Sequence, residues 1–181
     1  MRADARRNRE RVLAAAREAF ATEGPSVGLD DIARRAGVGA GTVHRHFPTK
    51  DELFKAVIAD RLAELAGTAR SLTDADDPGG AFFGFFERLA DQARANLALS
   101  AALSGPVEAD DPAFAAGADL QAALAVLLER AQRAGAVRAD VGAADLHGII
   151  AGAITMEQRL AQRPAGGLGL KVVMDGLRPP V

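Results

Sequence analysis

The chain has 181 residues, no cysteine and a formal charge of −2. With 49% of its residues apolar it can bury a sizeable core, in one large domain or two small ones. The lack of cysteine excludes disulfides and thiolate metal sites, and the near-neutral charge excludes a basic surface spread over the whole molecule.

Alanine is abundant while β-branched and aromatic residues are scarce, which favours helices over strands, and no alternating strand pattern stands out. The first predicted helix covers residues 7–23. Val12, Ala16 and Phe20 form its inward stripe with Leu13 beside it, and Gly24-Pro25 ends it. Phe20 is expected to pack on Phe47. The charge is uneven: residues 1–60 carry eleven Arg/Lys and nine Asp/Glu, the remainder eleven and fifteen. Arg2, Arg6, Arg7, Arg9, Arg11 and Arg17 crowd the start against Asp4 and Glu10. Such an arm fits a local contact with a phosphate or a minor groove, or else a solvated helix face.

Leu29, Ile32, Ala33 and Ala36 fall on one helical face at i, i+3, i+4 and i+7. Gly37 stops that helix, because glycine takes the left-handed conformation past a helix end without steric cost. Val38 plugs the turn. A second helix of about two turns runs from Ala40 to Phe47 with Val43 and Phe47 facing inward, and Pro48 ends it. Two short helices joined by a glycine-containing turn are the helix-turn-helix pattern. The exposed side of the second helix offers Thr42, His44, Arg45 and His46, and Lys50 follows. All are donors, and a helix carrying them suits the major groove.

The run Gly37-Val38-Gly39-Ala40-Gly41-Thr42-Val43-His44-Arg45-His46-Phe47-Pro48-Thr49-Lys50-Asp51-Glu52-Leu53 resembles the signature of the TetR/AcrR family of bacterial transcriptional regulators. Asp31-Ile32-Ala33 and the preceding amphipathic helix share the likeness, which covers roughly residues 7–60. The resemblance implies an all-α homodimer of about nine helices, without cofactor or metal. A DNA-binding head, residues 1–48, would read a palindromic operator. A body, residues 49–181, would dimerise and hold a small, largely apolar effector that releases the DNA. Ala40, Thr42 and Arg45 are then expected at base edges, and His44, His46 and Lys50 at phosphates. Two positions depart from the family pattern: His44 stands where Tyr is usual, and Gly28 where Ser or Thr usually opens the first motif helix.

Thr49 and Glu52 have the spacing of a capping box for a helix reaching about Ser71, with Leu53, Phe54, Val57, Ile58, Leu62 and Leu65 as its apolar stripe. In the family this helix links head to body. The polar turn from Thr73 to Gly80 marks the boundary, with the helix before it shared.

Residues 81–103 read as one helix that opens with Phe82, Phe83, Phe85 and Phe86 around Gly84. Phe82, Phe86 and Leu89 share a face, while Phe83 and Phe85 lie to its sides. They suit core packing, or the lining of an apolar ligand pocket to which Asn96 and Ser100, four apart, would add polar contacts. Gly105-Pro106 and the acidic stretch Glu108–Asp111 follow. A helix from Pro112 to Ala134 carries Leu120, Leu124, Leu127, Leu128 and Ala131, with Gly135 as its cap. Leu124 is a further pocket candidate.

The next helix starts at Asp145 and runs to about Gln162 on Leu146, Ile149, Ile150, Ala153 and Ile154. Gly148 and Gly152 permit a close helix contact, across a two-fold axis or within one subunit. His147 is a pocket contact or a satisfied structural residue. After Pro164-Ala165-Gly166-Gly167, a short last helix carries Leu170, Val173, Met174 and Leu177. In the family the last two helices build the dimer, which would put Gly148, Ile149, Gly152, Met156, Val173 and Leu177 at the interface.

No enzyme chemistry emerges. Gly37, Gly39 and Gly41 follow a helix and lack the spacing of a dinucleotide site. His44 and His46 diverge by about 200° on a helix and cannot share a metal. The four serines sit in no nucleophile elbow, and no run approaches the roughly 18 apolar residues of a membrane span. A cytoplasmic regulator is expected. The competing reading is a helical ligand-binding or interaction protein without operator binding.

Overall fold

The structure is a computed structural model that describes residues 2–23, 26–104, 111–160 and 168–180. The described residues form nine α-helices and no strand. In chain order they are α1 (Arg2–Glu23), α2 (Leu29–Ala36), α3 (Ala40–His46), α4 (Lys50–Ser71), α5 (Pro78–Ala95), α6 (Leu97–Ser104), α7 (Pro112–Arg133), α8 (Ala143–Leu160) and α9 (Leu168–Gly176). The chain divides into two compact units, Met1–Asp60 and Arg61–Val181, and α4 belongs to both.

In the first unit α1 packs against α2 and α3. Val12, Ala16, Ile32, Val43, Phe47, Leu53 and Val57 form one buried cluster, as the stripes of the four segments require. Helix α1 starts at Arg2, not residue 7. Ion pairs Asp4–Arg7 and Arg6–Glu10 at helical spacing support its polar first turns. The ring partner of Phe20 is Phe54, edge-on at 5.3 Å, and not Phe47. Phe47 instead lies under Arg9, and on α1 the path from residue 9 to residue 20 spans about 16 Å.

In the second unit α5 packs against α6, α7, α8 and α9. Being surrounded, it buries all four phenylalanines, the lateral Phe83 and Phe85 included. It begins three residues earlier than its apolar pattern suggests. Asp77 accepts the Gly80 N–H at 2.9 Å, and Pro78 takes the first helical position, where its missing donor costs nothing. The single helix expected over 81–103 is two helices. The chain breaks at Asn96, which is extended at φ −139° and ψ 102°. Its side-chain oxygen accepts the Leu99 N–H at 3.0 Å and so opens α6. A short amide side chain offers the backbone an alternative to helix continuation, and an apolar stripe on both sides hides the break.

Helix α7 opens on Asp111, whose carboxylate accepts the Ala113 N–H at 2.8 Å, and closes before Gly135 at φ 70°. Its length and mean hydropathy would allow a membrane crossing. However, Leu120, Leu124, Leu127, Leu128 and Ala131 are buried within this unit, and α7 packs on α5, α6 and α8. Helix α8 starts two residues ahead of Asp145, whose carboxylate reaches back to the Gly142 N–H at 2.9 Å. The expected breaks at Gly24-Pro25, Gly105-Pro106 and Pro164–Gly167, the stretch Glu108–Asp110 and the end of α8 at Gln162 lie outside the described residues.

Candidate nucleic-acid interface

The turn between α2 and α3 is built on Gly37. It sits in the left-handed region at φ 63° and ψ 39°. Its N–H returns to the Arg34 carbonyl at 3.1 Å, and that of Val38 to the Ala33 carbonyl at 3.0 Å. These bonds close α2 and turn the chain within three residues. Gly39 then caps α3, its carbonyl accepting the Thr42 N–H at 2.8 Å.

Helix α3 is two turns long and sits on the core through Val43 and the closing residue Phe47, which are 0% and 4% exposed. Its other side is open. Ala40, His44, Arg45 and His46 are exposed, and Thr42 is half-buried. Arg45 lies along its own helix, donating from Nε to the Gly41 carbonyl at 3.0 Å and from Nη2 to Thr42 Oγ1 at 3.4 Å. His44 Nε2 lies 3.5 Å from Asp30 Oδ1 on α2. Lys50 is exposed at the start of α4, beside a reciprocal capping box in which Thr49 Oγ1 accepts the Glu52 N–H and Glu52 accepts the Thr49 N–H. His46 and Lys50 have no hydrogen-bonding or ionic partner among the described residues. All six positions expected at DNA thus belong to one short helix and the helix start that follows it.

Helix α1 contributes two contacts that sequence patterning missed. Arg11 Nη2 donates to the Gly37 carbonyl at 2.7 Å, and Arg9 Cζ lies 5.6 Å from the Phe47 ring centre. No periodicity marks either residue. Gly28 is the N-cap of α2 with ordinary extended angles, no side-chain cap, and open space where a Cβ would stand.

In the second unit Phe82, Phe83, Phe86, Leu89, Ser100 and Leu124 are buried. Asn96 caps α6, and its side chain does not share a helix face with Ser100 as expected. His147 is exposed, its Nδ1 3.3 Å from Gln121 Nε2 on α7. Gly148 and Gly152 are exposed on α8, with open space at each Cβ position, and Ile149, Met156 and Val173 are half-buried. Leu177, expected at a subunit interface, is 2% exposed within the protomer itself. It closes α9, its N–H reaching the Val173 carbonyl at 3.1 Å and its carbonyl accepting the Arg138 N–H at 2.9 Å.

A cavity of about 530 Å³ opens between α5, α8 and α9. Charged side chains dominate its lining, among them Glu87, Asp91, Arg94, Glu157 and Lys171, and none of the eight expected pocket residues lines it. Glu157 is 3% exposed and accepts the Leu170 N–H at 3.2 Å. Between α7 and α8, Arg138 holds Asp140 by two hydrogen bonds. That contact lowers the Asp140 pKa from its ordinary carboxylate value and raises that of Arg138. No group of three side chains suited to a metal occurs among the described residues.

An exposed polar helix seated on an apolar helix-turn-helix core, with the Lys50 ammonium beside it, places the chain in the helix-turn-helix class, whose second helix suits the major groove. The family follows from comparison. Residues 12–57 match the family described as bacterial regulatory proteins, tetR family, and residues 77–179 match the transcriptional regulator SbtR-like C-terminal domain. The chain belongs to the TetR family of DNA-binding transcriptional regulators.

A TetR transcription regulatory protein from Mycobacterium vanbaalenii, known as a crystal structure, is 44% identical with a TM-score of 0.73, over 98% of this chain and 99% of that one. The regulator SCO0520 from Streptomyces coelicolor is 34% identical with a TM-score of 0.72, over 96% and 99%. Among curated proteins, the uncharacterized HTH-type regulator TtgW of Pseudomonas putida is 47% identical over 60 residues, which are 33% of this chain and 45% of TtgW. That alignment spans less than half of TtgW.

Proposed function

We propose that this regulator is a homodimeric repressor that leaves a palindromic operator when its body binds a small, mostly apolar ligand. The supporting observation is the polarity of α3: an apolar underside of Val43 and Phe47, and an outer side carrying Thr42, His44, Arg45 and His46 with Lys50 beside it. In this reading the head, residues 1–48, reads DNA and the remainder dimerises and senses. Arg45, Thr42 and Ala40 meet base edges, while His44, His46 and Lys50 meet phosphates. A two-fold dimer would present its recognition helices about one DNA turn apart, roughly 34–36 Å, or somewhat more. The exposed glycine face of α8, with Ile149, Met156 and Val173 beside it, suits close contact with a second copy. The buried aromatic cluster of Phe82, Phe83 and Phe86 with Leu89, Ser100 and Leu124 suits an apolar ligand after local opening. The ligand would act only through its different affinity for the DNA-competent and DNA-incompetent states. Such a protein works in the cytoplasm, where the DNA is.

The test is selection from a random-sequence duplex pool at two salt concentrations. Recovery of one palindrome, bound more weakly as salt rises, supports the reading. Recovery of no motif at either salt leaves a helical ligand-binding protein without operator recognition.

A further inference from the structure

Two arginines of the basic arm, which the charge pattern suits to DNA or to a solvated helix face, make contacts within the protein. Arg11 reaches from α1 to the turn ahead of α3, donating to the Gly37 carbonyl at 2.7 Å. Among the described residues no backbone N–H bonds to that carbonyl, so the guanidinium supplies its donor. A charged donor makes this stronger than a neutral hydrogen bond. Arg9 covers the other end, its guanidinium carbon 5.6 Å from the ring of Phe47, the residue that closes α3. This is cation–π distance. Two residues apart on α1, the pair therefore touches Gly37, in the turn three residues ahead of the recognition helix, and Phe47, just after it.

Helix α3 needs such support. Seven residues are too few to form a stable helix alone, and its hold on the core rests on Val43 and Phe47. Two apolar anchors along one side leave the helix free to roll about the line joining them. A directional bond to the entry turn removes that freedom. A recognition surface has to be held to within about 0.5 Å and 10–20° to meet its target productively. We infer that Arg9 and Arg11 are positioning residues that fix the roll of α3, and so the angle at which Thr42 and Arg45 face the bases, without themselves contacting DNA. The inference rests on the DNA-binding role of α3.

The experiment compares the full-length wild type with Arg11→Met, Arg9→Met and Gly37→Asn. Each is titrated with the duplex that the wild type enriches from a random pool, and with a scrambled duplex of equal length, over a series of salt concentrations. Asn tolerates the left-handed backbone, but its Cβ would stand 2.7 Å from Arg11 Nη2 and push the guanidinium away. Arg11→Met and Gly37→Asn are each expected to weaken the enriched duplex about tenfold, with scrambled DNA within about twofold and the salt slope unchanged. The double variant should be no weaker than either single one, since both break the same bond. Arg9→Met should show a smaller loss in the same direction.

Equal weakening on both duplexes, with the salt slope reduced by about 0.9, would identify Arg11 as a phosphate ligand and overturn the assignment. Unchanged affinity for both duplexes, in variants whose melting confirms folding, would overturn it as well. A wild type that enriches no duplex would instead remove the operator reading, and the positioning role with it.

Discussion

Arg45 and Lys50 are both exposed cations, yet their settings differ. Arg45 lies along the outer side of α3 against Thr42 and Gly41, whereas Lys50 stands at a helix start with no partner among the described residues. The first can reach a base edge by swinging off its own helix; the second is a point charge. Arg45→Ala should therefore cost about 1–3 kcal/mol on the selected operator and relax preference at one base position. Lys50→Ala should weaken all duplexes alike and flatten the salt slope by about 1. Equal loss on selected and random DNA for both variants would refute this division of roles. Gly28 adds a gain-of-function case. Its extended angles and open surroundings accept a side chain, so Gly28→Ser should stabilise α2 by a few tenths of a kcal/mol through a side-chain cap. It should also tighten binding to duplexes of any sequence, if its hydroxyl meets a phosphate. Unchanged thermal melting and DNA affinity would count against both effects. At this scale the sequence identified the outward residues of α3, because inward Val43 and Phe47 define the opposite side. The contacts of Arg9 and Arg11 were not legible, since they join residues 26 or more apart through space.

Helix starts followed local chemistry closely. The box formed by Thr49 and Glu52 is present in both directions, and Gly37 and Gly135 take the left-handed angles that their positions after a helix demand. The break at Asn96 did not show in the pattern, because hydrophobic periodicity runs through it. Asn96→Ala removes the acceptor for the Leu99 N–H and should cost about 1 kcal/mol, measured as a shift in denaturant midpoint at constant slope. No shift would mean that solvent replaces the cap without loss. The connection from α7 to α8 gives a pH test. Arg138 donates its N–H to the Leu177 carbonyl while its guanidinium holds Asp140. The Asp140 pKa is lowered in the fold by its hydrogen bonds to Arg138. Its contribution is therefore complete above the unfolded carboxylate value of about 3.9 and fades as pH falls below it. Asp140→Asn should melt slightly lower than wild type near neutral pH, and the gap should close in acid. A gap that stays constant with pH would exclude the ionised carboxylate as its source.

For the whole molecule, the decisive arrangement is the placing of α5 among four other helices. Four phenylalanines within five positions cannot share one helical face, but a helix packed on several sides can bury them all, and this one does. Phe86→Ala should therefore cost about 3–5 kcal/mol, as a buried aromatic ring does, whereas Phe114→Ala on the exposed side of α7, at 48% exposure, should stay within about 0.5 kcal/mol. Similar denaturation midpoints for the two variants would contradict the packing. The sequence by itself determined the all-helical class, the helix-turn-helix segment with the outward side of its second helix, and most helix ends. These follow from composition, period and cap residues, which act within a few positions along the chain. Only the tertiary structure decided that Phe20 meets Phe54, that Leu177 is buried in its own protomer while the α8 glycines stay open, and that α1 holds both the turn ahead of α3 and the residue that closes it. Those facts depend on which helix faces lie against each other, and periodicity shows that a face is apolar without naming the surface that covers it.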